Sequence, residues 1–130
     1  YGIGSRIFAQ PHASYFMIGT EVGTDVTQDA LNEIFKEIRI LIDEEVSEDE
    51  LEIVINYMNG QLLKATDGIY ARLELYKQVH YFNLNPGYFE EFFAKINTCT
   101  TSNLKDLASR FLNPKDFCTV VVGDLSSVEV

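Results

Sequence analysis

The apolar positions change period at Gly23. Before it, Ile3 to Gln10 and Ser14 to Val22 read as two strands, and the short connection Pro11-His12-Ala13 between them fits a hairpin. In the second run Tyr15, Met17 and Gly19 fall on one face, and Phe16, Ile18 and Thr20 on the other. Apolar residues on both faces predict an interior strand. The first run is less apolar, with Ile3, Ser5, Ile7 and Ala9 against Gly4, Arg6, Phe8 and Gln10.

After Gly23 the spacing becomes helical. Thr24-Asp25-Val26-Thr27 supplies a helix start, and Leu31, Ile34, Phe35, Ile38, Leu41 and Ile42 then recur at three and four. A turn is predicted at Glu45-Val46. Ser47-Glu48-Asp49-Glu50 is a capping box, in which the Ser and the Glu three residues on satisfy each other's free backbone N–H. Leu51, Val54, Ile55, Met58 and Leu62 form a second stripe behind it. Asp67-Gly68 interrupts, and Ile69 to Phe82 reads as a third helix rich in aromatics. Asn85-Pro86 predicts a fourth, with Asn as cap and Pro at the first helical position, carrying Phe89, Phe92, Phe93 and Ile96. Thr101 is expected to cap a fifth, with Leu104, Leu107, Ala108, Phe111 and Leu112 inward, and Asn113-Pro114 ends it. Last comes Thr119-Val120-Val121-Val122 before Gly123-Asp124, the pattern of a short buried strand. Strands at both ends with helices segregated between them predict an α+β fold, a two-layer antiparallel or mixed sheet with helices on one face. Residues 1–125 are expected to form one domain or half-domain, and 126–130 a short tail.

Composition narrows what such a fold could do. At 46% hydrophobic residues, the 130-residue chain can build a core and disorder is a poor reading. Ten Lys and Arg against twenty Asp and Glu give a net charge of −10. That balance repels phosphate backbones and anionic lipid, so neither nucleic acid nor a membrane surface is expected as a partner. No apolar run approaches the roughly 20 residues of a bilayer span. The sequence opens at Tyr1-Gly2 rather than at Met, and a piece of a longer protein is the expectation.

The candidate chemistry is sparse. His12, His80, Cys99 and Cys118 have no His or Cys neighbours at ligand spacing, so no autonomous zinc site is expected. His12 reads as solvated in a turn, and His80 as an ordinary helical histidine. Cys99 and Cys118 read as two buried or half-buried free thiols, a disulfide being the alternative. No G-x-S-x-G elbow occurs. Gly2-Ile3-Gly4 lacks a third glycine and leads into a strand, unlike a dinucleotide loop. Asp43-Glu44-Glu45, Glu48-Asp49-Glu50 and Glu90-Glu91 read as solvated helix ends and faces, the last two favoured by the dipole at helix N-termini. Gly2, Gly4 and Gly19 leave the hairpin backbone bare, either for an approaching strand or peptide or for close packing against the helices.

Taken in order, Tyr1-Gly2-Ile3-Gly4-Ser5, Tyr15-Phe16-Met17-Ile18-Gly19-Thr20, Ser47-Glu48-Asp49-Glu50-Leu51 with Asn56-Tyr57-Met58-Asn59-Gly60, Leu112-Asn113-Pro114-Lys115-Asp116-Phe117, and Val120-Val121-Val122-Gly123-Asp124 resemble one family. The chain is similar to the second half of a domain of the pitrilysin/insulinase peptidases, the zinc enzymes with an inverted H-x-x-E-H motif that include mitochondrial processing peptidase. In wording and acidity it looks more like the metal-free C-terminal domain of a bacterial member. The resemblance implies a fragment inactive by itself, with zinc held in a partner domain of the parent and no metal ligand here. Two such domains close around an extended peptide, and zinc-activated water hydrolyses it. Tyr1 stands where the family's substrate-contacting Tyr would be, donating to the developing oxyanion, while its Arg partner would lie upstream. The implied partners are the zinc-bearing domain, in the same chain or another subunit, and a peptide substrate. The compartment is left open by the sequence, cytoplasm and periplasm of a bacterium being the two alternatives.

Two other readings stand beside this one. The same fold could serve as a non-catalytic scaffold or partner subunit of a processing-peptidase-like complex. Alternatively, an unrelated α+β module could bind a small ligand or partner. The fragment reading alone expects an exposed apolar sheet edge and a tendency to homodimerise.

Overall fold

The computed structural model describes residues 2–126 and 128. As the pattern predicts, the fold is α+β, with an antiparallel hairpin followed by five α-helices among the described residues. The chain forms two compact units.

The first unit combines the residues up to Phe8, Tyr15–Glu45, and those from Ser102 onward. Strand β1 (Ile3–Phe8) pairs antiparallel with β2 (Tyr15–Thr20) in a register that sets Gly4 opposite Gly19 and Phe8 opposite Tyr15. The Phe8 and Tyr15 rings stack with centroids 4.9 Å apart. A 3-10 turn at Thr24–Val26 leads into α1 (Thr27–Asp43), and the Thr27 hydroxyl donates to the Gly23 carbonyl at 3.2 Å. The helical stripe is oriented as its spacing predicts: Ile38 is only 3% exposed, and Leu31, Ile34, Phe35, Leu41 and Ile42 are half-buried.

Helix α5 spans Thr101–Phe111. Its Lys105 ammonium donates to the Asp43 carbonyl at 2.8 Å, and the Ser109 hydroxyl to Ile42 O at 3.3 Å. Both acceptors belong to the last turn of α1, whose carbonyls have no partner within the helix. Lys105 also brings a cation to the end where Asp43, Glu44 and Glu45 oppose the dipole. Ala108 is buried, but Leu107 and Phe111, expected to point inward, are 48% and 62% exposed. After Leu112, Asn113 accepts the Lys115 N–H in a 3-10 turn at Pro114–Asp116, and the Phe117 ring sits edge-on to Phe35 at 6.0 Å.

Thr119–Val122 departs from expectation. These residues join no ladder, and Val120 and Val122 are 78% and 93% exposed. Four β-branched residues favour an extended backbone, but a strand also needs a neighbour to bond, and none of the described residues supplies one. For the same reason β2, expected in the sheet interior, pairs with β1 alone among the described residues and keeps Tyr15 58% and Met17 45% exposed.

The second unit comprises Ala9–Ser14 and Val46–Thr101. Helix α2 (Glu48–Ala65) starts where the Ser47 cap predicts, with the Ser47 hydroxyl accepting the Glu50 N–H at 3.2 Å, one half of the expected reciprocal box. Leu51 is buried, whereas Val54 of the expected stripe is 49% exposed. Gly68 has φ +86° before α3 (Ile69–Tyr81), a region reserved for glycine, which explains the sharp break there. Ala71, Leu75 and Val79 are the half-buried stripe of α3, and Tyr70 and Tyr76 are exposed.

Helix α4 (Tyr88–Asn97) begins later than predicted. The Asn85 side chain accepts the Gly87 N–H at 3.0 Å, and the Asn85 carbonyl accepts that of Tyr88, so Asn85-Pro86 forms a tight turn ahead of the helix. Ile96 is buried, and Phe89, Phe92 and Phe93 are half-buried. A reciprocal amide pair ties α2 to α4, with Asn59 Nδ2 to Asn97 Oδ1 at 2.8 Å and Asn97 Nδ2 to Asn59 Oδ1 at 3.3 Å. Thr101 opens α5 from within rather than capping it; it is 7% exposed and its hydroxyl reaches the Glu48 carboxylate at 3.5 Å.

Candidate functional site

Tyr1, the one candidate substrate contact, lies outside the described residues. The other candidates do not converge. His12 lies exposed in the hairpin connection and His80 exposed on α3. No group of three His, Cys, Asp or Glu able to hold a metal ion occurs among the described residues. Both cysteines are free thiols, and Cys99 is half-buried as expected. Cys118 is exposed instead, because it begins the run that no strand among the described residues covers.

The glycines resolve one open alternative. A Cβ built on Gly2 or Gly4 would meet nothing within 4 Å, and one on Gly19 would touch only the Met17 methyl at 3.9 Å. Among the described residues, no helix atom comes within 4 Å of a Cβ at these three positions. The facing Gly4 and Gly19 leave a bare stripe across the hairpin.

One feature of the first unit is concave. A cleft of about 800 Å³ is lined by Tyr15–Val22, by α1 residues including Leu31, Ile34, Phe35 and Ile38, and by the run from Asp116 to Asp124. Two of its walls are backbone without partners. One is β2, whose edge away from β1 bonds to no other strand among the described residues. The other is Cys118–Gly123, which makes no backbone–backbone hydrogen bond among the described residues. Unpaired edge backbone flanked by apolar side chains is a template for another strand.

The charge of this lining is one-sided. Among the described residues that line it, Glu21, Asp116 and Asp124 are the charged ones, and none is Lys, Arg or His. Asp116 and Asp124 bracket the unpaired run, and Glu21 follows β2. The Ser126 backbone N–H donates to Asp124 Oδ1 at 3.0 Å, and this bond, helped by the Ser126 hydroxyl, holds the Asp124 carboxyl below its ordinary value. Sequence reasoning had no reason to single out these acids, since each is an isolated carboxylate. Their one signal is position, at the ends of two apolar runs. Comparison of the chain with protein-family models, with curated proteins and with solved structures found no match.

Proposed function

We propose that this chain is the second half of a strand-deficient peptidase-like domain and forms one wall of a peptide chamber in a zinc peptidase of the pitrilysin/insulinase type. The observation that carries this reading is the cleft between two unpaired backbone runs, β2 and Cys118–Gly123, over the apolar face of α1. A hairpin alone is marginal in water, and a sheet of this kind gains stability from further strands.

In this reading the zinc and its ligands belong to the partner domain. This chain supplies shape, sheet edge and, through Tyr1, a contact to the substrate. The test is peptide hydrolysis by the parent protein with and without residues 1–130. Chelator-sensitive cleavage of an unstructured fluorogenic peptide, lost on deletion and restored by adding the chain back, supports the reading. Cleavage indifferent to the deletion, or a parent without H-x-x-E-H, overturns it.

A further inference from the structure

We infer that the outward face of α3 is the docking surface for one amphipathic helix of a partner protein, apolar along its seam and carrying Asp or Glu on both flanks. The inference concerns the second unit and does not rest on the peptidase reading. Helix α3 is apolar on two opposite sides. Ala71, Leu75 and Val79 form its half-buried stripe, yet Ile69, Tyr70, Leu73, Tyr76 and Tyr81 on the other side are all at least 60% exposed. A solvated helix keeps one polar face, and a helix apolar all round is ordinarily covered on both. At about 200 Å² for a whole aromatic side chain, these residues leave roughly 700 Å² outward, more than the largest patch of an ordinary monomer and near one partner's share of a standard interface.

The form of the occupant follows from the spacing. A helix satisfies its backbone along its own length, so recognition falls to side chains. Ile69, Leu73, Tyr76 and His80 stand four, three and four residues apart, the spacing of a seam that interlocks with a second helix. The 13 residues of α3 rise about 20 Å, so the occupant needs roughly three to four turns.

Its charge follows from the flanks. Arg72 lies exposed on one side of the seam and Lys77 on the other. The Arg72 Nε–H donates to the Thr66 carbonyl at 3.2 Å, which steadies the side chain and uses one of its several donors. Lys77 pairs with Glu74 of the same helix, but both are exposed and such a pair holds little, so an acid on the partner can take the ammonium. Flanking charges of this kind choose the partner of a paired helix. With two cations and one carboxylate, α3 is net positive in a chain of net charge −10, so an acidic helix is drawn to this face and repelled by the chain as a whole. A second copy of this chain is the poorer occupant, because it brings the same two cations to the flanks.

The experiment uses the full chain and two synthetic helical peptides of about three heptads, with Leu at both seam positions, Glu on both flanks in one and Lys in the other. Like-charged flanks keep each peptide from pairing with itself. Binding is read by fluorescence anisotropy at physiological salt, and its place by hydrogen exchange. The Glu-flanked peptide is expected to bind on the order of fivefold more tightly than the Lys-flanked one, the size of two exposed ion pairs. Net charge alone predicts the reverse order, so the sign itself is diagnostic. Exchange should slow in Ile69–Tyr81. Arg72→Glu with Lys77→Glu should invert the preference. Leu73→Glu, at an exposed position, should abolish binding while leaving the far-UV circular dichroism unchanged. Equal or absent binding, preference for the Lys-flanked peptide, protection elsewhere, or a folded Leu73→Glu chain that binds as before overturns the inference. So does a chain that pairs with itself through α3 and excludes the peptide. If a variant does not fold, the peptide preference and the hydrogen-exchange map of the unaltered chain decide.

Discussion

Replacing Ile38 by Ala tests whether α1 holds the first unit together. Ile38 is 3% exposed, and Ala108 at 5% is the unit's other buried apolar residue among those described. The substitution removes three carbons from a site almost closed to water, roughly 2–2.5 kcal/mol at the usual value per buried methylene. A rigid core would add a cavity penalty on top. Here that term should be small, because Ile38 also lines the open cleft, and its surroundings can relax or hydrate. The expected loss is therefore about 2–3 kcal/mol, the low end for a buried Ile→Ala change.

Urea unfolding followed by far-UV circular dichroism measures that loss, with hydrogen exchange showing that it falls on α1 and α5. Val122→Ala is the control. At 93% exposed, Val122 should change stability by less than about 0.5 kcal/mol. A loss below about 1 kcal/mol for Ile38→Ala, or equal losses at the two sites, would refute the view that the α1 stripe is the core and the 119–122 run its uncovered margin.

Three further outcomes are expected. Ser47→Ala should cost about 1 kcal/mol by removing the acceptor for the Glu50 N–H, read as a lower thermal midpoint, with Ser47→Asp recovering most of it. Asn59→Ala and Asn97→Ala should couple by about 0.5–1.5 kcal/mol in a double-mutant cycle, since each single change strands the other amide. The depressed pKa of Asp124 means that its turn is favoured above the ordinary carboxylate value of 3.8 and lost as pH falls through the lower folded-state value; a carboxyl titration followed by NMR should show a midpoint below 3.8, and a midpoint at or above it would contradict the Ser126 bond.

How legible each element was in the sequence depended on where its hydrogen bonds go. The helices bond within themselves, so spacing and caps sufficed: the Leu31-to-Ile42 stripe, the Ser47 cap and the Gly68 break all stand where the pattern puts them. The start of α4 was misplaced because Asn85-Pro86 satisfies a turn as well as a helix cap, and only the bond to the Gly87 N–H distinguishes them. A strand bonds elsewhere. Thr119–Val122 has every local property of a buried strand, yet it makes no ladder among the described residues. The cleft was invisible for a related reason, because Glu21, Asp116 and Asp124 meet around it only after the chain folds.

The strong acidity bears on whether copies of the chain pair. Long apolar sheet edges invite copies of a chain to pair, and proteins commonly blunt them with charge on the edge itself. Here β2 and the Cys118–Gly123 run carry no charge within their own spans, so the protection must come from the acids that frame them and from the net −10. Protection at that range is screened by salt, with a Debye length of about 8 Å at physiological ionic strength and about 3 Å at 1 M. The chain should therefore be monomeric in sedimentation velocity at low salt and associate as salt approaches 1 M, where apolar contact is undiminished and repulsion is gone. A chain that stayed monomeric at 1 M salt, or that already paired at low salt, would show that these charges do not protect the edges.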